Sequence, residues 1–264
     1  MTFSGAELAL GSLSGSLVGF TLGLIGGGGS VLAVPLMVYL VGVANPHVAI
    51  GTSAVAVAIN AAANLANHAR SGNVKWPCAL VFAATGVIGA FAGSTLGKMV
   101  DGQKLLLLFA LVMIVIGLLM LRKRGGDGHL DVKLSRDNLW PLLAFGFGTG
   151  TLSGFFGIGG GFLIVPALMF ATGMPILYAI GSSLVSVTAF GLTTATNYAL
   201  SGLVDWALAA IFLVAGIAGG LAGARLAARL SGTRGTLNKV FATMVFAVAA
   251  YMIYRSVIAL SGAG

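Results

Sequence analysis

The chain has 264 residues, of which 58% are hydrophobic and 8% are charged, and its mean hydropathy is +1.04. A soluble domain needs a polar surface, so this composition excludes one and indicates a chain that faces lipid. In such a chain the net charge of +8 reports orientation in the membrane, and we expect no binding to nucleic acid. The single cysteine, Cys78, excludes an internal disulfide and a thiolate metal site, and nothing in the sequence predicts a cofactor.

Two long stretches, Leu8 to Ala69 and Asn138 to Val204, contain no Asp, Glu, Lys or Arg. Each is about three times the roughly 20 residues that a helix needs to cross a bilayer. A β-barrel would alternate apolar and polar residues, so these unbroken apolar stretches predict helices. The sequence therefore predicts an all-α polytopic membrane protein.

Eight apolar elements follow in chain order, four on each side of a polar linker. The first four run roughly from Leu13 to Gly42, Val48 to Ala69, Trp76 to Gly97 and Leu105 to Leu121, and the last four from Leu139 to Thr172, Ile176 to Leu200, Trp206 to Leu226 and Leu237 to Tyr254. We therefore divide the chain into a first transmembrane repeat (1–122), a basic cytoplasmic linker (123–137) and a second transmembrane repeat (138–264).

The two halves match each other in sequence. At an offset of 131 residues the identical pairs join Gly15, Gly19, Gly23, Gly26, Gly28, Gly29, Val34 and Pro35 to Gly146, Gly150, Gly154, Gly157, Gly159, Gly160, Val165 and Pro166. At an offset of 130 the match continues, with Asn67 against Asn197 and Trp76 against Trp206. Chance matching among abundant glycines does not explain the paired Pro, Asn and Trp, so we predict two homologous repeats, as secondary transporters often have.

Glycines interrupt the first element of each half. Gly26–Gly29 leaves about 13 residues on either side, or about 20 Å of helix, which is short of a 30 Å bilayer core. The element is either one broken helix that crosses or a re-entrant hairpin. Crossing would place eight Lys and Arg residues on one side and six on the other, whereas re-entry gives eleven against three. The positive-inside rule therefore favours re-entry, which makes the two repeats inverted.

A glycine break in an apolar element leaves backbone N–H groups that protein, water or ligand must satisfy. The pieces from Ser30 onward and from Phe162 onward would each present a helix N-terminus, which favours an anion. The run Gly26–Ser30 is not a phosphate-binding P-loop, because it lacks the lysine of that motif. For Gly15, Gly19 and Gly23, close helix packing is the favoured interpretation.

The second element of each half carries a polar stripe. Ser53, Asn60, Asn64, Asn67 and Ser71 share one helix face, and Ser183, Thr194, Asn197 and Ser201 repeat most of it. Such a stripe should face the bundle, where its donors can bind an oxyanion or form hydrogen bonds between helices; both alternatives stay open. Thr52-Ser53 and Ser182-Ser183 can also act as helix N-caps.

No charged residue lies well inside a predicted span, so an anion would be bound by dipoles and neutral donors. His47 and His68 lie at element ends, and we expect both to be interfacial. A serine hydrolase that uses Ser153 lacks a histidine at the same depth, so we predict that the chain is not an enzyme.

The repeated glycine break ending in Val-Pro, followed by Ala-x-Gly-[Ser/Thr]-Ser, resembles the TauE/SafE sulfite exporter family, also called the sulfonate-uptake permease family. The motif occurs as Gly26–Ser30, Val34-Pro35 and Ala49–Ser53, and again as Gly157–Gly161, Val165-Pro166 and Ala179–Ser183. The resemblance covers nearly the whole chain. It implies transport of sulfur-containing anions such as sulfite and sulfonates, whereas the residues themselves indicate only an anion.

These observations predict a secondary transporter that exports a small sulfur-containing anion, with a passive anion channel as the alternative. A coupling ion is a possible further partner of the transporter. The sequence identifies neither that ion nor an oligomeric state. The predicted substrate-binding residues are Gly28, Gly29, Ser30, Thr52, Ser53, Asn64, Gly159, Gly160, Gly161, Ser182, Ser183 and Asn197.

Overall fold

The computed structural model describes residues 5–122, 132–157, 161–230, 243 and 246–255. Within these ranges the chain is helical, without a strand, and six helices are long and apolar enough to cross a membrane. The α-helices are α1 (Gly5–Ile25), α2 (Ala33–Leu36), α3 (Pro46–Arg70), α4 (Trp76–Gly97), α5 (Gly102–Arg122), α6 (Arg136–Phe156), α7 (Gly161–Thr172), α8 (Ile176–Ala199) and α9 (Trp206–Leu230). A 3₁₀ helix (Gly26–Leu32) precedes α2 and a π-helical turn (Met37–Val41) follows it. The predicted all-α membrane fold is confirmed.

Local sequence explains where these helices begin and end. The Asn45 side chain accepts a hydrogen bond from the His47 N–H, and Pro46 occupies the first position of α3, where its missing N–H costs nothing. Gly157 ends α6 in the left-handed conformation, with a φ of 68° that glycine adopts without strain. The predicted eighth element, Leu237 to Tyr254, lies largely outside the described residues, although residues 246–255 are helical.

Two helix pairs, α1 with α9 and α4 with α6, approach closely enough for their backbones to touch. The contacts follow glycines spaced by four residues, which are Gly15, Gly19 and Gly23 in α1 and Gly146, Gly150 and Gly154 in α6. A Cβ atom added at Gly15 would lie 2.6 Å from the backbone oxygen of Phe212, so a larger residue does not fit. We call these two contacts the glycine seams. The packing interpretation of Gly15, Gly19 and Gly23 is confirmed.

Contacts along the helices give their directions. The Asn60 and Asn64 side chains on α3 meet Gly216 and Gly220 on α9, so α3 and α9 run in the same direction. Because Gly19 meets Gly216, α1 runs in that direction too. We call the end of the bundle at which α3 finishes the Arg70 end, and the opposite end, where α4 finishes, the Lys98 end.

Helices α4, α6 and α8 run the other way. Gly51 of α3 contacts Leu203 beyond the end of α8, and Gly181 near the start of α8 contacts Asn73 beyond the end of α3. Corresponding helices of the two halves, α1 and α6, α3 and α8, α4 and α9, therefore have opposite directions. Inverted repeats require this arrangement; the common origin of the halves stays a prediction.

The interrupted first element is a hairpin. The chain reverses at Gly26, and Gly29 then lies against Thr21 and Leu22 of α1. However, α1 has 21 residues, or about 32 Å, so the expectation that both arms are too short to cross is wrong for the first arm. The helix begins at Gly5 rather than Leu13, because residues 5–12 contain no proline and include the good helix formers Ala, Glu and Leu. Helix α6 also has 21 residues and begins at Arg136, three residues before the predicted Leu139.

Candidate functional site

The first glycine break is the reversal between α1 and the 3₁₀ helix. Gly26 has a φ of 63°, a conformation that costs most other residues about 1 to 2 kcal/mol. The helical hydrogen-bonding pattern resumes at once and continues from Gly26 to Leu32. The expectation that Ser30 starts a new helix is therefore wrong: Ser30 lies inside the 3₁₀ helix, because glycine permits the reversal four residues earlier.

Side chains from two directions bind the backbone of the first break. The Gly27 N–H donates to Ser183 Oγ at 3.1 Å, and Ser183 Oγ donates in turn to the carbonyl oxygen of Ile180 at 2.7 Å. Ser30 Oγ donates to the Gly27 carbonyl oxygen at 2.8 Å. Ser30 and Ser183 are fully buried. The predicted residues Ser30 and Ser183 thus lie together, one on the break and one on α8.

The second glycine break lies between α6 and α7, and its residues 158–160, which include the predicted Gly159 and Gly160, fall outside the described residues. Gly157 is packed against Ile50 of α3, as Gly26 is packed against Ile180 of α8. Helix α7 begins at Gly161, as expected, and the backbone of Gly161 contacts that of Gly27. The two breaks therefore meet inside the bundle.

Two further predicted residues, Thr52 and Ser182, are each bonded to a loop of the other half. Thr52 Oγ1 accepts a hydrogen bond from the Asp205 N–H at 2.9 Å, and Ser182 Oγ accepts one from the Lys75 N–H, also at 2.9 Å. Both hydroxyls are fully buried. Since α3 and α8 are antiparallel, these two contacts lie at opposite ends of the bundle. They secure the loops that precede α9 and α4.

The asparagines of α3 face α9. Asn60 and Asn64 are buried, and their side chains occupy the space beside Gly216 and Gly220, where α9 has no side chains. Asn64 Nδ2 donates to the Asn60 carbonyl oxygen at 2.9 Å. This arrangement favours contact between helices for both residues. Asn64 also borders Gly23, three residues before the first break.

Asn197 lies at the Lys98 end, away from the first break. Its Oδ1 accepts from Lys98 Nζ at 2.8 Å, and its Nδ2 donates to Ser94 Oγ at 2.6 Å. Lys98 Nζ also donates to Ser201 Oγ at 2.8 Å. These bonds join α4 to the last turn of α8, where a cation also complements the helix dipole. Asn197 is therefore engaged by protein groups at its carbonyl oxygen and its amide.

Ser53, like its counterpart Ser183, bonds to a carbonyl oxygen one turn earlier in its own helix. Its Oγ donates to the Ile50 carbonyl oxygen at 3.0 Å within its own helix. Ile50 packs on Gly157, so Ser53 lies one turn from the second break.

His68 was not among the predicted site residues; it lies in the last turn of α3, at the element end that the sequence indicates, and it is buried within the protein. Its side chain is 3% exposed, and Nε2 lies 3.3 Å from the Gly23 carbonyl oxygen in the last turn of α1. The ring is buried because α1 packs over the end of α3. The spacing of Asn60, Asn64 and His68, four residues each, is the sequence signal that places it on the buried polar face.

Comparison with known proteins finds one matching family and several similar membrane proteins. The family model described as "Sulfite exporter TauE/SafE" matches residues 12–252. A protein of Xylella fastidiosa named "Probable membrane transporter protein" is 54% identical over 257 residues, which cover 97% of this chain and 98% of that protein. The "Probable membrane transporter protein YdhB" of Bacillus subtilis is 26% identical over 215 residues, covering 79% and 86%. No solved structure matches the chain.

Proposed function

The chain belongs to the TauE/SafE sulfite exporter family of membrane transporters, and we propose that it is a secondary transporter that exports small sulfur-containing anions. The proposed substrates are sulfite and organosulfonates, and the proposed location is the bacterial cytoplasmic membrane. The family description, which names sulfite, supports the substrate class. The uncharged interiors of the spans support an anion held by neutral donors and helix dipoles.

The observation that carries the proposed site is the meeting of the two glycine breaks. Gly27 contacts Gly161 in the interior, and the first break lies directly against the Ser183 hydroxyl. Helix α7, as described, starts at Gly161 and has 12 residues, so the backbone N–H groups of its first turn have no intrahelical acceptor among the described residues. In this proposal the oxyanion binds at the meeting point, to N–H groups and to the hydroxyls of Ser30 and Ser183.

The other predicted residues take supporting positions in this proposal. Gly28, Gly29, Gly159 and Gly160 belong to the breaks themselves, and Ser53 lies beside the second break. Thr52, Ser182 and Asn197 bond to protein groups outside the two breaks and secure the helices around the meeting point. Asn64 lies between the first break and α9.

The distribution of basic residues supports an orientation in which the Arg70 end is cytoplasmic. Among the described residues, seven Lys and Arg residues flank the Arg70 end and three flank the Lys98 end. The seven are Arg70, Lys75, Arg122, Lys133, Arg136, Arg225 and Arg229, and the three are Lys98, Lys104 and Arg255. Basic residues are retained on the cytoplasmic side of a membrane.

Alternating access in this proposal comes from motion of the two halves, 1–122 and 138–264, as inverted repeats joined by the linker 123–137. Each half contributes one break, so movement between the halves changes the geometry at the meeting point. The opposite directions of corresponding helices support this mechanism.

Efflux from proteoliposomes tests the proposal. Vesicles that contain the purified protein and radiolabelled sulfite or sulfoacetate should lose label faster than protein-free vesicles. The rate should saturate with concentration, and unlabelled substrate outside should accelerate exchange. Linear flux without such counterflow would instead identify a passive anion channel, and no flux of either anion would reject the substrate class.

A further inference from the structure

His68 is a buried histidine that contacts the backbone just before the first glycine break. Its Nε2 lies 3.3 Å from the Gly23 carbonyl oxygen, and the chain reverses three residues later at Gly26. Beyond the reversal, Ser183 Oγ accepts the Gly27 N–H. The break is therefore bonded on one side by a residue of α3 that can bind a proton and on the other by a hydroxyl of α8.

The contact with Gly23 fixes the tautomer of the neutral ring. A carbonyl oxygen only accepts hydrogen bonds, so Nε2 of His68 must carry a hydrogen. The neutral ring then has a lone pair on Nδ1. This atom is buried, and it has no hydrogen-bond partner in the part of the chain that the structure describes. Nδ1 is thus an available proton acceptor whose protonation leaves the Gly23 contact intact.

The elements packed against α3 bring little that could neutralise a charge on this ring. Among the described residues the carboxylates on or next to these elements are Glu7, in the first turn of α1, and Asp101 and Asp205, beside the start of α3. All three lie at the opposite end of the bundle from His68. The other titratable or charged residues on these elements and on α3 are Tyr39, His47, Arg70, Lys104, Arg122, Tyr178, Tyr198, Arg225 and Arg229. Within the described part of the chain a protonated His68 would therefore lack an anionic partner, and a buried cation without one is unfavourable.

We propose that Nδ1 of His68 is a proton-binding site coupled to anion binding at the first glycine break. The bound anion supplies the counter-charge that the protein lacks, and the imidazolium supplies the positive charge that the break lacks. By thermodynamic linkage each ligand then raises the affinity for the other. This inference rests on the proposed function because it takes the break as the anion site.

Calorimetry on the unmodified protein gives the first test. Methanesulfonate is a suitable probe because it stays singly charged and does not itself titrate near neutral pH. Titrations in two buffers with different protonation enthalpies should show proton uptake on binding. The affinity should fall about tenfold for each pH unit over the range in which the ring loses its proton. Binding that takes up no proton between pH 5.5 and pH 8.5, a window of about three units around the ordinary histidine range, would overturn the proposal.

The variant His68→Gln separates charge from structure. Its side-chain amide can still donate to the Gly23 carbonyl oxygen, but it does not titrate. Methanesulfonate affinity should become independent of pH within about twofold, and proton uptake should be lost. His47→Gln is the matched control. His47 is on the same helix, its Nε2 lies 3.1 Å from the Val100 carbonyl oxygen, and its Nδ1 also lacks a partner among the described residues. This control should keep the proton uptake of the unmodified protein.

The outcomes separate this proposal from the proposed function. If His68→Gln transports sulfite or sulfonate and takes up protons as the unmodified protein does, the role of His68 is rejected and the proposed function is retained. If the protein binds and transports only chloride or nitrate, and His68→Gln loses the proton uptake, the sulfur substrates are rejected and the role of His68 is retained. Absence of binding and flux for all of these anions would reject both.

Discussion

Glycine serves different purposes in two adjacent regions, the glycine seams and the first glycine break. In the seams a Cβ atom would collide with a neighbouring helix backbone, as at Gly19 against Gly216. At the break, Gly26 has a positive φ and the chain changes direction. Gly19 and Gly26 are only seven positions apart, so proximity in sequence does not reveal which purpose a glycine serves. The missing side chain matters in the seam, and the backbone conformation matters at the break.

The largest expected effect comes from filling a seam. Gly19→Leu places a side chain where the backbone of Gly216 lies, which should separate α1 from α9 and lower the free energy of unfolding by about 3 kcal/mol. Thermal unfolding and the yield of monodisperse protein in detergent measure the effect. Gly148→Leu is the control, because no atom lies within 4 Å of a Cβ there; equal loss in both variants would contradict the seam.

A smaller effect is expected at the break itself. Gly26→Ala forces a positive φ on alanine and brings its Cβ within 2.6 Å of the Ile180 carbonyl oxygen, at a combined cost of about 2 kcal/mol. Gly202→Ala meets the same backbone strain at a φ of 69°, but in open space, so it should cost about 1 kcal/mol. Thermal unfolding compares the two. The assignment is contradicted if Gly26→Ala keeps both the stability and the efflux rate of the unmodified protein.

Removing the Ser183 hydroxyl should lower the stability less than Gly26→Ala does, but it should impair transport more. Ser183→Ala leaves the buried Gly27 N–H without its acceptor, at about 1 to 2 kcal/mol, and removes a proposed ligand of the anion. The apparent affinity for sulfite in proteoliposomes should therefore weaken. Ser53→Ala is the matched control, because the Ser53 hydroxyl bonds only within α3 among the described residues. A similar loss of affinity in both would show that the two breaks contribute alike.

The smallest effect is expected for hydroxyls that hold loops. Thr52→Val and Ser182→Ala each remove the acceptor of one loop N–H, so each should cost about 1 kcal/mol and leave the sulfite affinity unchanged. Unfolding and efflux measured on the same preparations separate the two readouts. A weakened sulfite affinity at normal stability would show that Thr52 and Ser182 belong to the substrate site.

Much of the fold followed from local patterns. Uncharged stretches of the right length predict spanning helices, and Asn45-Pro46 and Met174-Pro175 mark starts of α3 and α8 that the structure contains. The break at Gly26 was also predicted, because a run of four glycines is rare inside a helix. The extent of α1 was not, since helix ends are the least reliable part of any pattern.

The site was less predictable, because its residues have alternative partners of equal chemistry. Asn197 and Ser183 are both polar residues on one helix, yet Asn197 bonds to Lys98 and Ser183 bonds to the first break. Which partner each one meets depends on how α8 crosses α4 and the hairpin. His68 shows the same limit, since its depth is set by α1.

The sequence by itself determined that the chain faces lipid, that it is helical and where the glycine breaks lie, because hydropathy and backbone propensity act locally. Only the tertiary structure decided which glycines touch, that the two breaks meet, and that one histidine is buried beside the first of them. Those facts depend on side-chain and backbone contacts between residues more than 40 positions apart, such as Gly23 with His68, and no local pattern encodes such a contact.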